Sequence, residues 1–206
     1  MRRFFSPKPL AGKQEITLEG QLVNYITRVL RLEAGAEFEL FDGTYSFHAQ
    51  LVAATKSSLQ IKLLAELSPL AASPLYSHLG QALAKGDKFE LVVQKATELG
   101  VNEITPLITQ LTDVKLAAAR AEKKLHQWQQ IAISACEQSG RSNLVTINPP
   151  LALTAWLGQR QEDLRLLLNP YANNSALQAL QPKNLALLIG PEAGLTEQEN
   201  QLAINS

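Results

Sequence analysis

Apolar and polar residues alternate with a period of two between residues 36 and 64, which is typical of half-buried β-strands. The dipeptide Asp42-Gly43 predicts a tight turn between the first two runs, because both residues tolerate positive φ. Upstream, apolar residues recur at helical spacing between Leu22 and Leu30. The pattern therefore predicts a short helix followed by a small antiparallel β-barrel, which would together fill about 70 residues.

A change of pattern follows the segment from Leu67 to Pro74, which has two prolines and no periodicity. We predict a domain boundary here, with one domain at residues 1–70 and the other at 74–206. Beyond it, predicted strands (75–84, 101–108, 144–147, 164–168, 185–189) alternate with predicted helices (87–99, 118–139, 151–158, 173–180). Such alternation predicts an α/β domain with a mostly parallel sheet, in which ligands bind beyond the carboxyl ends of the strands.

Composition narrows the class of protein without defining its chemistry. The chain has 206 residues, 46% of them hydrophobic, and 19 basic residues balance 19 acidic ones. No apolar run approaches the length of a membrane span, and no signal-peptide core follows the first residues, so we expect a soluble cytoplasmic protein without membrane contact. The single cysteine, Cys136, lies among apolar residues and is interpreted as a core residue rather than a nucleophile.

Charge is uneven along the chain. Within residues 1–35 there are six basic residues, among them Arg2, Arg3, Arg28 and Arg31, against three acidic ones. Clustered arginines and lysines are what phosphate contacts require, so this end could face RNA. A solvated surface explains the same charges equally well.

The strongest candidate for a ligand site is the segment Ile189-Gly-Pro-Glu-Ala-Gly194 after a predicted buried strand. A glycine turn at a strand end leaves backbone groups free to bind a ligand and allows close approach. The next residues, Thr196-x-x-Glu199, have the form of a capping box that opens a helix. Taken alone, a glycine turn after a strand more often has a structural role.

Two further polar segments have simple structural explanations as well. Gln94, Lys95 and Glu98 share a predicted amphipathic helix, and Arg141 follows a long helix, whose dipole a cation would stabilise. The histidines His48, His78 and His126 have no partner at metal-ligand spacing, so we expect no metal. The chain also lacks a nucleophile elbow, a Walker loop and the dinucleotide fingerprint.

Five motifs, in their order along the chain, carry a resemblance to a known family. They are Arg28-Val-Leu-Arg31, Leu40-Phe-Asp-Gly43, Gln94-Lys-Ala-Thr-Glu-Leu-Gly-Val101, Glu137-Gln-Ser-Gly-Arg141 and Ile189-Gly-Pro-Glu-Ala-Gly194. The chain resembles the bacterial 16S ribosomal RNA uridine N3-methyltransferases of the SPOUT superfamily over essentially its whole length. The resemblance implies a PUA-like N-terminal barrel that grips RNA of the small ribosomal subunit. It also implies an α/β-knot domain that binds S-adenosylmethionine across a homodimer interface.

The resemblance assigns roles to the matching positions. The implied cofactor-binding residues are Leu168, Asn169, Ile189, Gly190, Pro191, Glu192 and Gly194. The implied RNA-binding residues are Arg2, Arg3, Arg28, Arg31 and Lys95. Arg141 and Glu98 are the candidate catalytic residues near the target base, and the general base stays open. The reaction requires loss of the uridine N3 proton and in-line attack on a sulfonium methyl group, so positioning and a proton acceptor matter most.

The chain departs from the family pattern at two places. Ala193 stands where members usually have glycine, which we expect to narrow the turn slightly. Members also continue beyond Ser206 with a segment that completes the knot and the cofactor pocket, so we expect the 206 residues alone to bind the cofactor poorly. Two other readings stay open: a non-enzymatic RNA-binding or ribosome-assembly protein, and an α/β protein that binds a small molecule or nucleotide at the Gly190 turn.

Overall fold

The computed structural model describes residues 1–68, 73–112, 118–169 and 181–206. The chain forms two compact units, of which the first comprises Met1–Ala71 and Cys136–Leu144 and the second comprises the rest. Residues 69–72 of the predicted boundary and the predicted helix at 173–180 lie outside the described residues. The predicted ranges 1–70 and 74–206 do not include the return of Cys136–Leu144 to the first unit, and they stay a prediction.

The first unit contains a curled five-stranded sheet in the order β1-β3-β4-β5-β2. Its strands are β1 (Arg3–Phe5), β2 (Glu15–Glu19), β3 (Glu37–Phe41), β4 (Ser46–Ala54) and β5 (Ser58–Leu67). The three strands predicted by alternation pair antiparallel, with Phe38 opposite Ala49 and Leu51 opposite Ile61. The sheet is mixed rather than wholly antiparallel, because β1 pairs parallel with β3.

A short helical segment precedes β3, as the spacing of apolar residues predicted. Helix α1 spans Gln21–Asn24 and continues into a π-helical turn at Tyr25–Val29. Val23 and Ile26 are buried in the core of the first unit, together with the inward residues of the sheet. The arrangement explains the alternation: apolar residues face this core and polar residues face solvent.

The second unit contains an all-parallel sheet in the order β10-β11-β6-β7-β8, with β9 also paired to β7. Its strands are β6 (Tyr76–Ala82), β7 (Glu103–Ile108), β8 (Thr146–Ile147), β9 (Leu151–Ala152), β10 (Leu164–Leu168) and β11 (Asn184–Ile189). These bounds confirm the predicted strands to within a few residues.

Helices cover both faces of this sheet. They are α2 (Lys88–Glu98), α3 (Ala118–Ser139), α4 (Leu153–Leu157) and α5 (Glu197–Ile204). Residues of α2 and α3, such as Phe89 and Trp128, pack in one core with Leu79 of β6. Residues of α4 and α5 pack in a second core with Ala186 and Leu188 of β11. Within the described residues, no helix is long and apolar enough to cross a membrane.

Candidate functional sites

The implied cofactor residues lie at the carboxyl edge of the parallel sheet. Leu168, the last residue of β10, is opposite Ile189, the last residue of β11, and Ile189 is opposite Gln81 of β6. The loop residue Asn169 continues directly from Leu168. Strand register therefore brings the two cofactor segments of the sequence prediction to one edge, where α/β proteins bind their ligands.

The turn after β11 requires glycine at two positions for different reasons. Gly194 has φ +78 and donates its backbone N–H to the carbonyl oxygen of Pro191 at 2.8 Å, closing the turn. A Cβ on Gly190 would lie 3.1 Å from Cγ of Leu195, so the backbone passes close to its neighbour there. Among the described non-glycine residues Arg31 is the one with positive φ, so Ala193 fits the turn without strain.

Three other residues of the second unit contact this turn through hydrogen bonds or an ion pair. The amide of Gln81 is buried and donates to the carbonyl oxygen of Gly190 at 3.4 Å. Lys88 of α2 lies 3.0 Å from the carboxylate of Glu192, which also accepts from the backbone N–H of Lys85. Hydrogen bonds to its carboxylate, first from its own backbone N–H and then from Lys88, lower the pKa of Glu192.

The predicted capping box of α5 is confirmed, and it does more than open the helix. Thr196 accepts from the backbone N–H of Glu199, whose carboxylate accepts from the backbone N–H of Thr196. Glu199 is buried, and its other oxygen accepts from the backbone N–H of Gln110 at 2.8 Å. The capping carboxylate therefore ties the start of α5 to the loop after β7.

Lys95 and Glu98 are both on α2 and are paired with each other. The ammonium of Lys95 lies 2.8 Å from the carboxylate of Glu98, three residues along the helix. Neither side chain is buried, and an exposed pair of this kind opens and closes readily. The two groups are therefore accessible in the second unit.

Arg3 belongs to the interior of the first unit. Its side chain is 9% exposed and lies 2.9 Å from the carboxylate of Glu39. It donates to the carbonyl oxygen of Cys136 at 2.9 Å and to the hydroxyl of Ser142 at 3.1 Å, and it lies over the ring of Phe41. The guanidinium thus satisfies a carbonyl at the end of α3, and it is engaged by protein groups rather than held free for phosphate.

The other arginines of the N-terminal region differ from Arg3. Arg2, Arg28 and Arg31 are exposed, and within the described part of the chain their side chains have no hydrogen-bond or ion-pair partner. Arg31 also has φ 52, an uncommon conformation for arginine. These three cations can meet phosphate groups without breaking an internal contact.

Arg141 and Glu137 lie in the segment that returns to the first unit. Arg141 is half-buried, and burial lowers the pKa of its guanidinium. The carboxylate of Glu137 accepts from the backbone N–H of Phe5 at 3.0 Å, and partial burial raises its pKa. Cys136 is buried beside them, which confirms its interpretation as a core residue.

A polar network around His78 was not predicted from the sequence. His78 is buried and pairs with the hydroxyl of Thr105 at 2.7 Å, while Arg160 contacts its Nδ1 atom. The carboxylate of Glu103 lies 3.5 Å from the same nitrogen. His78 is on β6, whereas these partners come from β7 and from the loop after α4, so no local spacing could reveal them.

The comparisons with known proteins identify the class. Residues 71–206 match the family model of an RNA methyltransferase domain, and residues 18–64 match that of an RNA methyltransferase PUA domain. The protein is therefore an RNA methyltransferase with an N-terminal PUA domain, which confirms the predicted fold class of a PUA-like unit followed by an α/β methyltransferase unit with a parallel sheet.

Individual relatives narrow the class to one family. The chain is 32% identical to ribosomal RNA small subunit methyltransferase E of Buchnera aphidicola subsp. Schizaphis graminum, over 89% of this chain and 76% of the relative. The corresponding Bacillus subtilis protein is 28% identical over 97% of this chain and 83% of its own length. The crystal structure of the Neisseria gonorrhoeae enzyme bound to S-adenosyl methionine superposes with a TM-score of 0.92, at 33% identity, covering 100% of this chain and 86% of that one. The chain belongs to the family of ribosomal RNA small subunit methyltransferase E.

Proposed function

We propose that this protein methylates N3 of a uridine in 16S ribosomal RNA of the small subunit, with S-adenosylmethionine as the methyl donor. The observation that carries the proposal is the glycine turn at the carboxyl edge of the sheet, in register with the end of β10. Its support from outside the chain is membership of a family of ribosomal RNA methyltransferases, one of which was crystallised with this cofactor.

The residues at this edge fit the cofactor. Ile189 is the last sheet residue, backbone groups of Gly190 and Pro191 follow it, and the tight packing of Gly190 against Leu195 keeps the backbone close to the edge. Leu168 and Asn169 end the neighbouring strand, while Glu192 and Gly194 complete the turn. We assign these seven residues to cofactor binding.

When bound, S-adenosylmethionine supplies an electrophilic methyl group on a sulfonium cation. The protein's part is to align the uridine N3 atom with that methyl group and to accept the N3 proton. We assign stabilisation of the developing uridine anion to Arg141, whose partial burial strengthens its electrostatic effect. Glu98 is a carboxylate that can accept a proton, and its exposed pairing with Lys95 leaves it within reach of substrate.

RNA binding is assigned to the exposed cations. Arg2, Arg28 and Arg31 of the first unit and Lys95 of the second can contact phosphates, whereas Arg3 supports the fold from inside. We also propose that the protein acts in the cytoplasm, where small subunits are assembled, and that it works as a homodimer.

Mass spectrometry of the RNA product tests the proposal. Small subunits that lack the modification are incubated with the protein and with S-adenosylmethionine carrying a deuterated methyl group, and the RNA is then digested to nucleosides. The proposal expects deuterated N3-methyluridine. Binding of the subunits without incorporation, or a label on another base or atom, would contradict it.

Two arginine variants provide a matched comparison in the same assay. Arg141→Gln should lower the rate at saturating RNA while leaving RNA affinity nearly unchanged, because the group acts on the developing charge. Arg28→Gln should weaken RNA affinity with a nearly unchanged rate at saturation. If Arg141→Gln weakened RNA affinity and left the rate at saturation unchanged, Arg141 would not act on the reacting base.

A further inference from the structure

A cavity of about 470 Å³ lies within the first unit, where the N-terminal strand, the π-helical turn and the end of α3 meet. Its lining includes Arg2, Tyr25, Glu137 and Ser139. Ligand sites for small molecules typically have volumes of about 300–1,000 Å³. The cavity is therefore large enough for one nucleotide, and the residues that line it all belong to the first unit.

An aromatic ring is available in this lining. Tyr25 is 44% exposed, although it begins a helical turn beside the core. Phe4, which is buried, packs against it in a T-shaped arrangement with 6.2 Å between ring centroids and an interplanar angle of 83°. In a T-shaped pair Phe4 leaves at least one face of the Tyr25 ring uncovered, and exposed aromatic faces are where single-stranded nucleic acids stack their bases.

The charges of the lining match the two ends of a nucleotide. Arg2 is exposed and its side chain has no hydrogen-bond or ion-pair partner among the described residues, so it can bind a phosphate. Deeper in the unit, the half-buried carboxylate of Glu137 is fixed by the backbone N–H of Phe5. The end of α3 beside it carries the partial negative charge of a helix C-terminus, which Arg3, also in the lining, partly offsets by its hydrogen bond to the carbonyl oxygen of Cys136.

The backbone next to the cavity is unusual in two ways. Tyr25 opens a π-helical turn, a feature that is rare and often found at functional sites. Arg31, just after that turn, has φ 52, which costs an arginine conformational energy. Both features are departures from regular helix geometry, and both occur in one short segment beside the cavity.

We propose that this cavity receives one unpaired nucleotide of the RNA substrate, with its base stacked on Tyr25 and its phosphate on Arg2. The inference rests on the proposed function, because it takes RNA as the substrate. It adds a base-reading subsite in the first unit to the phosphate contacts already assigned, and it predicts that single-stranded RNA is preferred over a duplex.

Fluorescence anisotropy with labelled RNA tests the subsite. The probes are a single-stranded ten-nucleotide oligouridylate and an oligomer of equal length with abasic ribose units. Tyr25→Leu removes stacking but keeps apolar volume, Tyr25→Phe keeps the ring, and Tyr45→Leu removes another partly exposed tyrosine of the first unit. Thermal unfolding of each variant verifies that it is folded.

Tyr25→Leu should weaken binding of oligouridylate by about tenfold, as loss of a stacked base does, and leave binding of the abasic oligomer unchanged. Tyr25→Phe and Tyr45→Leu should bind as the unaltered chain does. Arg2→Ala, which breaks no internal contact, should reduce the slope of log Kd against log salt by about 0.7, the contribution of one phosphate on a single strand.

The outcomes for the subsite and for the enzyme are distinguishable. The subsite would be overturned if Tyr25→Leu lost equal affinity for oligouridylate and for the abasic oligomer, or lost affinity for neither. That result would hold even if the protein methylates uridine. Selective loss for oligouridylate in a protein that transfers no methyl group would support the subsite and contradict the proposed activity. A folded Tyr25→Phe variant that binds as poorly as Tyr25→Leu would also overturn stacking.

Discussion

The side-chain amide of Gln81 donates a hydrogen bond of 3.4 Å to the carbonyl oxygen of Gly190. Gln81 is in register with Ile189, so a buried polar side chain of the central strand β6 reaches the first residue of the turn after β11. The same amide also donates to the carbonyl oxygen of Ala82. The orientation of the Gly190 peptide, which would meet the cofactor, is therefore held by the sheet itself.

Gln81→Leu should weaken the affinity for S-adenosylmethionine by roughly three- to tenfold, the loss expected for one such hydrogen bond. Leucine has nearly the same volume, so the core should remain packed. Isothermal titration measures the affinity. Gln129→Leu is the matched control, because Gln129 also donates to a backbone carbonyl of the second unit, that of Val145. Equal losses of affinity in both variants would show that the Gly190 contact has no special role.

The conformation of Gly194 leads to a second prediction. Gly194→Ala should lower the free energy of unfolding by about 1 kcal/mol, because alanine is strained at φ +78 although its Cβ would meet no atom within 4 Å. Gly12→Ala in the first unit, at φ +68 and equally open, should lose a similar amount. Urea unfolding measures both losses. Gly194→Ala alone of the pair should also weaken cofactor binding; an unaltered Kd would separate the turn from the cofactor.

The same substitution should have different effects at two adjacent arginines, lowering stability at Arg3 and RNA affinity at Arg2. Arg3→Met removes the partner of Glu39 and the donor to Cys136, so it should lower the free energy of unfolding by about 3 kcal/mol. Arg2→Met should change stability by less than about 0.5 kcal/mol and should weaken RNA binding. Urea unfolding and RNA anisotropy measure the two effects. Equal stabilities would show that the interior contacts of Arg3 contribute little.

The repeating patterns of the sequence predicted most of the fold. Alternation located β3 to β5, and glycines marked helix ends: Gly100, with φ 99, follows Leu99, the C-cap residue of α2. The parallel pairing of β1 with β3 was not predicted, because three residues are too few to show a period and their partner is far along the chain. Asp87 precedes α2 as expected, but its side chain makes no capping hydrogen bond.

Local sequence patterns likewise revealed some residues of the candidate sites and could not reveal others. The glycine turn was visible in the sequence because glycine and proline mark such backbone conformations locally, and Gly194 has the positive φ that this predicts. The role of Arg3 was not found, because its partners Glu39 and Ser142 are distant in sequence and its charge looks like that of Arg2. His78 was set aside for lack of partners at metal-ligand spacing, whereas the parallel sheet brings Glu103 and Thr105 of the neighbouring strand β7 to it.

The His78 network predicts how stability depends on pH. Burial lowers the pKa of His78 from 6.5 to about 4, against the opposing effect of Glu103 and with the help of Arg160. Between these values the unfolded chain binds a proton that the folded chain does not, so acidification favours unfolding. The stabilising contribution is complete above pH 6.5 and is lost as the pH falls towards 4.

His78→Gln isolates this contribution, because the charged neighbours Glu103, Arg160 and Glu162 remain. Partial burial raises the pKa of Glu103, but hydrogen bonds from Tyr76 and Asn148 outweigh it and lower the pKa overall. The stability that Glu103 contributes is therefore also lost in acid, in the unaltered chain and in the His78→Gln variant. The unaltered chain should therefore lose more free energy of unfolding between pH 7 and pH 4 than His78→Gln, by on the order of 2 kcal/mol. Urea unfolding at both pH values measures the difference. Equal losses of free energy in the two proteins would mean that His78 has the same pKa in the folded and the unfolded chain, since a histidine that titrates alike in both states contributes no pH dependence.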